Sequence, residues 1–183
     1  MIHGAKYISD FIDSIEETTL LQAVDGGPWR HDLKRRVQHF GYRYDYRART
    51  VDPSDYLGPL PKWVSEICHR LVLDGYFQAK PDQVIVNEYL PGQGIAPHID
   101  CVPCFGDVIA SLSLGSGCEM VFENIENHEK QFFYLEPCSL LVLSEDARFK
   151  WRHSIPTRKS DVIGGQRVLR DRRVSLTFRS VLI

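Results

Sequence analysis

Apolar and polar positions follow two different periods along the chain. After Pro81, short apolar segments recur between turn residues, which predicts strands over residues 83–90, 108–114, 119–122, 131–135, 139–143 and 172–181. The breaks fall at Pro91-Gly92, Gly115-Ser-Gly117, Glu126-Asn127 and Glu136-Pro137. Before Pro81 the spacing is helical. Tyr7, Ile8, Phe11, Ile12 and Ile15 form one stripe, with Ser9-Asp10 or a neighbour as its cap, and Trp63, Val64, Ile67, Cys68, Leu71 and Val72 form another that Gly75 can end. Between them, residues 32–46 read as two strands turning near Gly41, followed by a polar, proline-rich connection. Many short strands with frequent turns predict a mainly β fold with flanking helices, a double-stranded β-helix or jelly roll, whose two helices cover the outer face of one sheet. At 183 residues and 43% hydrophobic the chain reads as one domain. Residues 1–80 supply the helices and a candidate lid, and residues 81–183 the jelly-roll core.

Within this pattern some polar residues fall where a ligand would explain them. Side chains on a strand alternate faces, so His98 and Asp100 would point together, and a third group such as His153 would complete a His, Asp, His set on one face of a metal ion. His-x-Asp alone is weak, since such triplets arise by chance. The last predicted strand strengthens it: Arg173, Ser175, Thr177 and Arg179 alternate with Val174, Leu176 and Phe178. Two inward arginines demand a buried anion, and a dicarboxylate would supply two charges.

Asn87-x-Tyr89, His98-x-Asp100, His153 and Arg173-x5-Arg179, in this order, resemble the AlkB family of Fe(II)- and 2-oxoglutarate-dependent dioxygenases. The resemblance runs from about Arg36 to Arg179. It implies that His98, Asp100 and His153 hold Fe(II) and carry the catalysis. It further implies that Arg173 and Arg179 pair with the two carboxylates of 2-oxoglutarate, that Asn87 and Tyr89 hydrogen-bond to it, and that Ser175 lies beside them. Dioxygen takes the remaining position, and decarboxylation of the keto acid generates the oxidant that hydroxylates a carbon attached to a base. On nitrogen that carbon is lost as an aldehyde, which is repair; on carbon the hydroxyl remains. Val102 and Ser175 depart from the founding AlkB protein, which has Asp and Asn there. Arg36-Val-Gln-His-Phe-Gly-Tyr42, Lys80-Pro-Asp-Gln83, Pro91-Gly-Gln-Gly94, Ser111-Leu-Ser-Leu-Gly115 and Thr177-Phe-Arg179 are closer to the AlkB-like domain of the eukaryotic hydroxylase of a tRNA wobble uridine. The RNA-recognition module and methyltransferase of that enzyme are not in these 183 residues. Oxidative dealkylation of bases in DNA or RNA is therefore the first expectation and wobble-uridine hydroxylation the second. A metal hydrolase, which would have no use for the arginine pair, and a non-catalytic nucleic-acid-binding jelly roll are the readings of other classes.

Charge and cysteine usage add partners and compartment. Residues 30–49 hold seven Lys/Arg and two Asp, and residues 148–179 hold ten and two, giving +5 and +8 within a net charge of −2, so the rest carries −15. Such asymmetry fits a nucleic-acid footprint. In the first segment Arg35, Arg36 and Arg43 would grip phosphates and Tyr42 or Tyr44 would stack on a base, which makes it a candidate substrate lid for single-stranded DNA or RNA, with duplex DNA and tRNA as further candidates. The same rings could equally be core. No apolar run approaches a membrane span and the first residues lack a signal core, so a cytoplasmic monomer is expected. Five cysteines without a secreted spacing argue for reduced thiols, with Cys101 and Cys104 near the iron and open to oxidation; a zinc or redox role for this pair is the lesser reading.

Overall fold

The computed structural model describes residues 2–31 and 33–183. In chain order the elements are β1 (Ala5–Ile8), α1 (Ser14–Asp25), β2 (Val37–Phe40), α2 (Lys62–Leu73), β3 (Gln83–Tyr89), β4 (Ile95–His98), β5 (Ile109–Gly115), β6 (Cys118–Asn124), β7 (Lys130–Leu135), β8 (Leu140–Leu143), α3 (Glu145–Phe149), β9 (Trp151–Ile155), β10 (Ser160–Ile163), β11 (Gln166–Leu169) and β12 (Arg173–Arg179). A six-stranded sheet runs β1-β8-β5-β12-β3-β2, and a four-stranded sheet runs β4-β9-β6-β7. All pairings are antiparallel, with β10 and β11 as a separate hairpin.

Alternation along the strands divides the interior in two. Val84, Val86, Leu112, Val174, Leu176 and Phe178 project from the outer face of the large sheet and pack under Leu20 and Val24 of α1 and Val64, Ile67 and Leu71 of α2. Both helices therefore cover the outer face, α2 through the stripe expected of it and α1 through Leu20 and Val24 instead. The inner face meets the small sheet through Tyr89, Ile109, Leu141, Met120, Phe122 and Trp151. Polar side chains enter this second core along β12, β3 and β5, where they face His98 of β4 and His153 of β9, and that is where the site lies.

Two N-terminal expectations are corrected. Tyr7 and Ile8 belong to β1, which adds to the large sheet through Tyr7↔Leu141 and Ile8↔Leu140. The helix starts later because Asp13 accepts from the amides of Ile15 and Glu16 while Glu16 caps Asp13 in return, and Ile15 is left exposed. Residues 32–46 yield one strand, not two; Asp32 itself lies outside the described residues. β2 ends at Gly41, whose φ of 78° and whose closeness to the Asp82 carbonyl admit no side chain, and Asp45 then caps a turn through Arg47 and Ala48. With β1 and β2 in the large sheet, a boundary at residue 80 cuts through one sheet. Among the described residues no helix is long and apolar enough to cross a membrane.

Candidate active site

The site is a cavity of about 320 Å³ between the two sheets. His98 ends β4 and lies directly opposite His153 on β9, with ring centroids 4.4 Å apart. Gly94 permits this pairing, since a Cβ there would sit 2.1 Å from the Ile155 carbonyl oxygen. Asp100 lies beyond the end of the strand, so alternation does not put it beside His98; the loop that follows β4 does. His153 Nε2 is 3.8 Å from Asp100 Oδ2, and Arg179 Nη2 donates to Asp100 Oδ1 at 2.6 Å. Among the described residues no three His, Cys, Asp or Glu groups already surround one point, and the Asp100 carboxylate is held by Arg179.

Electrostatics nevertheless prepares the set for a cation. Burial would raise the Asp100 carboxyl, but Arg179, followed by His153 and His98, holds it well below the usual carboxylate range. Burial pushes His153 down to about 3, with His98 adding to the effect. At neutral pH the site thus offers an ionised carboxylate beside the neutral imidazole of His153, the protonation states that metal binding requires. In donor type and charge the residues fit Fe(II).

Deeper in, β12 and β3 pair Arg173 with Tyr89 and Ser175 with Asn87. Arg173 is 2% exposed; its Nη2 donates to Ser113 Oγ at 3.0 Å, while Nε and Nη1 have no partner among the described residues. A buried guanidinium with two unanswered donors fits a carboxylate that arrives with a ligand. Arg179 differs. Besides Asp100 it donates to Gln83 Oε1 at 3.3 Å and lies over the Phe105 ring, with only Nε unanswered. Ser175, Asn87 and Tyr89 all line the cavity.

The expected substrate contacts separate. Arg35 and Tyr44 line the cavity, Arg35 with its Nε on Asn87 Oδ1 at 2.9 Å and its guanidinium over the Tyr89 ring. Arg36 instead makes two bonds to Glu88, at 2.6 and 2.7 Å, and stacks on Trp29. Arg43 is held by Asp55 at 2.7 Å, and the Tyr42 ring packs on Tyr56, outside the cavity lining. Residues absent from the sequence-derived set also belong to the site: Tyr46 and Arg49 line the cavity, and Ser113 holds Arg173 behind it. Tyr46 was legible in the Tyr42, Tyr44, Tyr46 alternation, Ser113 in the period-two serines of β5, and Arg49 only as one charge in a run. Cys101 and Cys104 are joined as a disulfide, which corrects the expectation of reduced thiols for this pair: a short turn brings their Cα atoms to 5.3 Å. Cys68, Cys118 and Cys138 are free.

Residues 4–179 match the 2OG-Fe(II) oxygenase superfamily. The chain belongs to that family. The oxygenase is therefore an Fe(II)- and 2-oxoglutarate-dependent dioxygenase with dioxygen as co-oxidant. It is 39% identical over 203 residues to the alkylated DNA repair protein ALKBH8 homolog of Arabidopsis thaliana, covering 98% of this chain and 59% of that one. It is 41% identical over 171 residues to the tRNA (carboxymethyluridine(34)-5-O)-methyltransferase ALKBH8 of Mus musculus, covering 87% of this chain and a quarter (25%) of that one. The oxygenase thus corresponds to the AlkB-like part of longer proteins. The solved structure of OsALKBH1 superposes with a TM-score of 0.70 at 18% identity, over 97% of this chain and 96% of that one, which shows the shared jelly-roll fold.

Proposed function

We propose that this oxygenase oxidises an alkylated base presented by a nucleic-acid strand, releasing the alkyl carbon as an aldehyde. The observation that carries the proposal is the form of the cavity: an unanswered buried Arg173 at its inner end, the histidine pair and Asp100 beside it, and Tyr44, Tyr46, Arg35 and Arg49 on its walls. At about 320 Å³ it lies at the small end of the range for ligand sites, roughly 300 to 1,000 Å³, so it takes a cosubstrate and one flat group and not a duplex. A base must leave its stack to enter.

In this reading His98, Asp100 and His153 are the metal ligands, and Fe(II) with 2-oxoglutarate and dioxygen supplies the oxidant that inserts oxygen into a C–H bond. Arg173 answers one carboxylate of the cosubstrate with two parallel bonds, and Ser113 fixes its fork. Arg35 holds Asn87 by its carbonyl oxygen, which leaves the Asn87 amide free to donate to the same ligand. Arg179 moves between Asp100 and the cosubstrate's other carboxylate, with Tyr89 and Ser175 completing the wall. Tyr44, braced on Phe105, and Tyr46, edge-on to Tyr44, offer ring faces to the base.

The 41% identity to the mouse ALKBH8 favours a second reading, hydroxylation of a modified tRNA uridine. Succinate and aldehyde are measured with methylated single-stranded DNA, duplex DNA and tRNA offered in parallel. Dealkylation gives Fe(II)-dependent succinate with equimolar aldehyde, while succinate with tRNA and no aldehyde selects the second reading. His98→Ala, Asp100→Ala or His153→Ala should each abolish turnover; activity in any of them removes that residue from the site.

A further inference from the structure

Arg148, in the short helix α3, is 2% exposed and has no ion pair among the described residues. Each of its nitrogens instead meets main-chain carbonyls of one loop. Nη1 donates to Asp100 at 3.0 Å, Nη2 to Cys101 at 3.4 Å and Phe105 at 3.3 Å, and Nε to Gly106 at 3.3 Å. Asp100 and Asp107 lie near enough to favour its charge, but a buried cation with no carboxylate in direct contact is costly and persists only where its donors are answered. Here every bond falls on the segment that carries the proposed carboxylate ligand. That segment leaves β4 at His98, so no sheet register fixes Asp100. Its carboxylate is held by Arg179 through Oδ1, with Oδ2 3.8 Å from His153 Nε2.

We infer that Arg148 is a positioning residue for the metal site: its guanidinium locks the carbonyls of residues 100–106 so that the Asp100 side chain can rotate without the loop following. The inference rests on Asp100 being a metal ligand. The loop has other anchors, since Gly106 donates to the Ser180 carbonyl and the Cys101–Cys104 bridge closes its turn. Arg148 differs in reaching the main-chain carbonyl of Asp100 itself, where Arg179 holds only the side chain.

The test reads Mn(II) binding directly, from the free-ion paramagnetic resonance signal, in wild type, Arg148→Met, Arg148→Lys and Asp100→Ala. Val64→Ala, in the outer core away from the loop, serves as a destabilised control. Loss of partners that orient ligands typically weakens metal binding ten- to hundredfold. Arg148→Met should fall in that range, Arg148→Lys should recover part of the loss, and Val64→Ala should bind like wild type. Mn(II) affinity within twofold of wild type in a folded Arg148→Met overturns the inference, as does an equal loss in Val64→Ala. Should Arg148→Met not fold, Arg148→Lys decides: a rise of threefold or more in the Mn(II) constant supports the role, and an unchanged constant overturns it. Asp100→Ala separates the two levels, because retained binding there refutes the ligand assignment, whereas loss there with wild-type binding in Arg148→Met refutes only the role of Arg148.

Discussion

Arg173→Met should make the protein worse at binding its cosubstrate and no less stable without it. The wild-type guanidinium is almost wholly buried, and two of its nitrogens lack partners in the absence of a ligand. Each buried unsatisfied donor costs about 1 to 3 kcal/mol, and methionine fills most of the same volume without any. Against this stand the donor lost to Ser113 and a small residual void, so the balance is a gain of about 0 to 1 kcal/mol. For a chain of this length that shifts the melting temperature upward by at most about 4 °C. Cosubstrate binding moves the other way. Losing a charge-assisted contact of about 1.5 to 3 kcal/mol raises the 2-oxoglutarate dissociation constant about ten- to hundredfold. Calorimetric titration of the Mn(II)-loaded protein with 2-oxoglutarate, beside thermal melts of the metal-free protein, reads both terms. A melting temperature several degrees lower with an unchanged 2-oxoglutarate constant would refute the reasoning and make Arg173 an ordinary core residue.

Metal-free stability should fall as pH drops from about 6.5 to 5. His153 has a folded pKa pushed down to about 3, so in this window the unfolded chain binds a proton that the folded one does not, at up to about 1.4 kcal/mol per pH unit; urea titrations at pH 7, 6 and 5 should show the decline, and a decline of the same size in His153→Gln would remove its source. Arg36→Ala should cost about 2 kcal/mol by stranding Glu88, which is 2% exposed and also accepts from Arg172, yet leave the salt dependence of nucleic-acid binding unchanged. Arg47→Ala, at an exposed position on the rim, should lower that slope by about one unit, and the reverse result in binding titrations at two salt concentrations would return Arg36 to the phosphates.

The sequence revealed most where side-chain alternation and fold agree. β3, β5, β7, β8 and β12 lie within a residue or two of their expected bounds because each shows alternation or an apolar run closed by turn residues. β1 was hidden because four residues hold barely one period of either pattern, and Tyr7, Ile8, Phe11 and Ile12 happen to continue at helical spacing into a turn whose amides go to the Cys138 carbonyl. β9 carries His153, yet Trp151–Ile155 is too short and mixed in polarity to stand out. The histidines were recognisable as chemistry, and Arg173 as an inward charge needing an anion. Arg148 was not, since nothing local says that its partners are carbonyls more than forty residues earlier.

The basic segments show why counting charge along a chain misreads its surface. Of the ten basic residues between 148 and 179, Arg148, Arg170, Arg173 and Arg179 are buried. Arg170 and Arg158 share Asp161, Arg152 takes Glu123, and Arg172 takes Asp25 and Glu88. The acids that neutralise them lie as far as 147 residues away in the chain, so the +8 of the segment and part of the −15 elsewhere cancel inside the fold. Lys34, Lys159 and Arg167 remain exposed without an acid partner among the described residues, and on the turn that carries Tyr44 and Tyr46 to the cavity wall Arg47 and Arg49 are exposed to meet a polyanion. A strand held there through one or two phosphates would bind weakly and with a shallow salt dependence, and the ring contacts inside the cavity would then supply most of the discrimination between a target base and its neighbours.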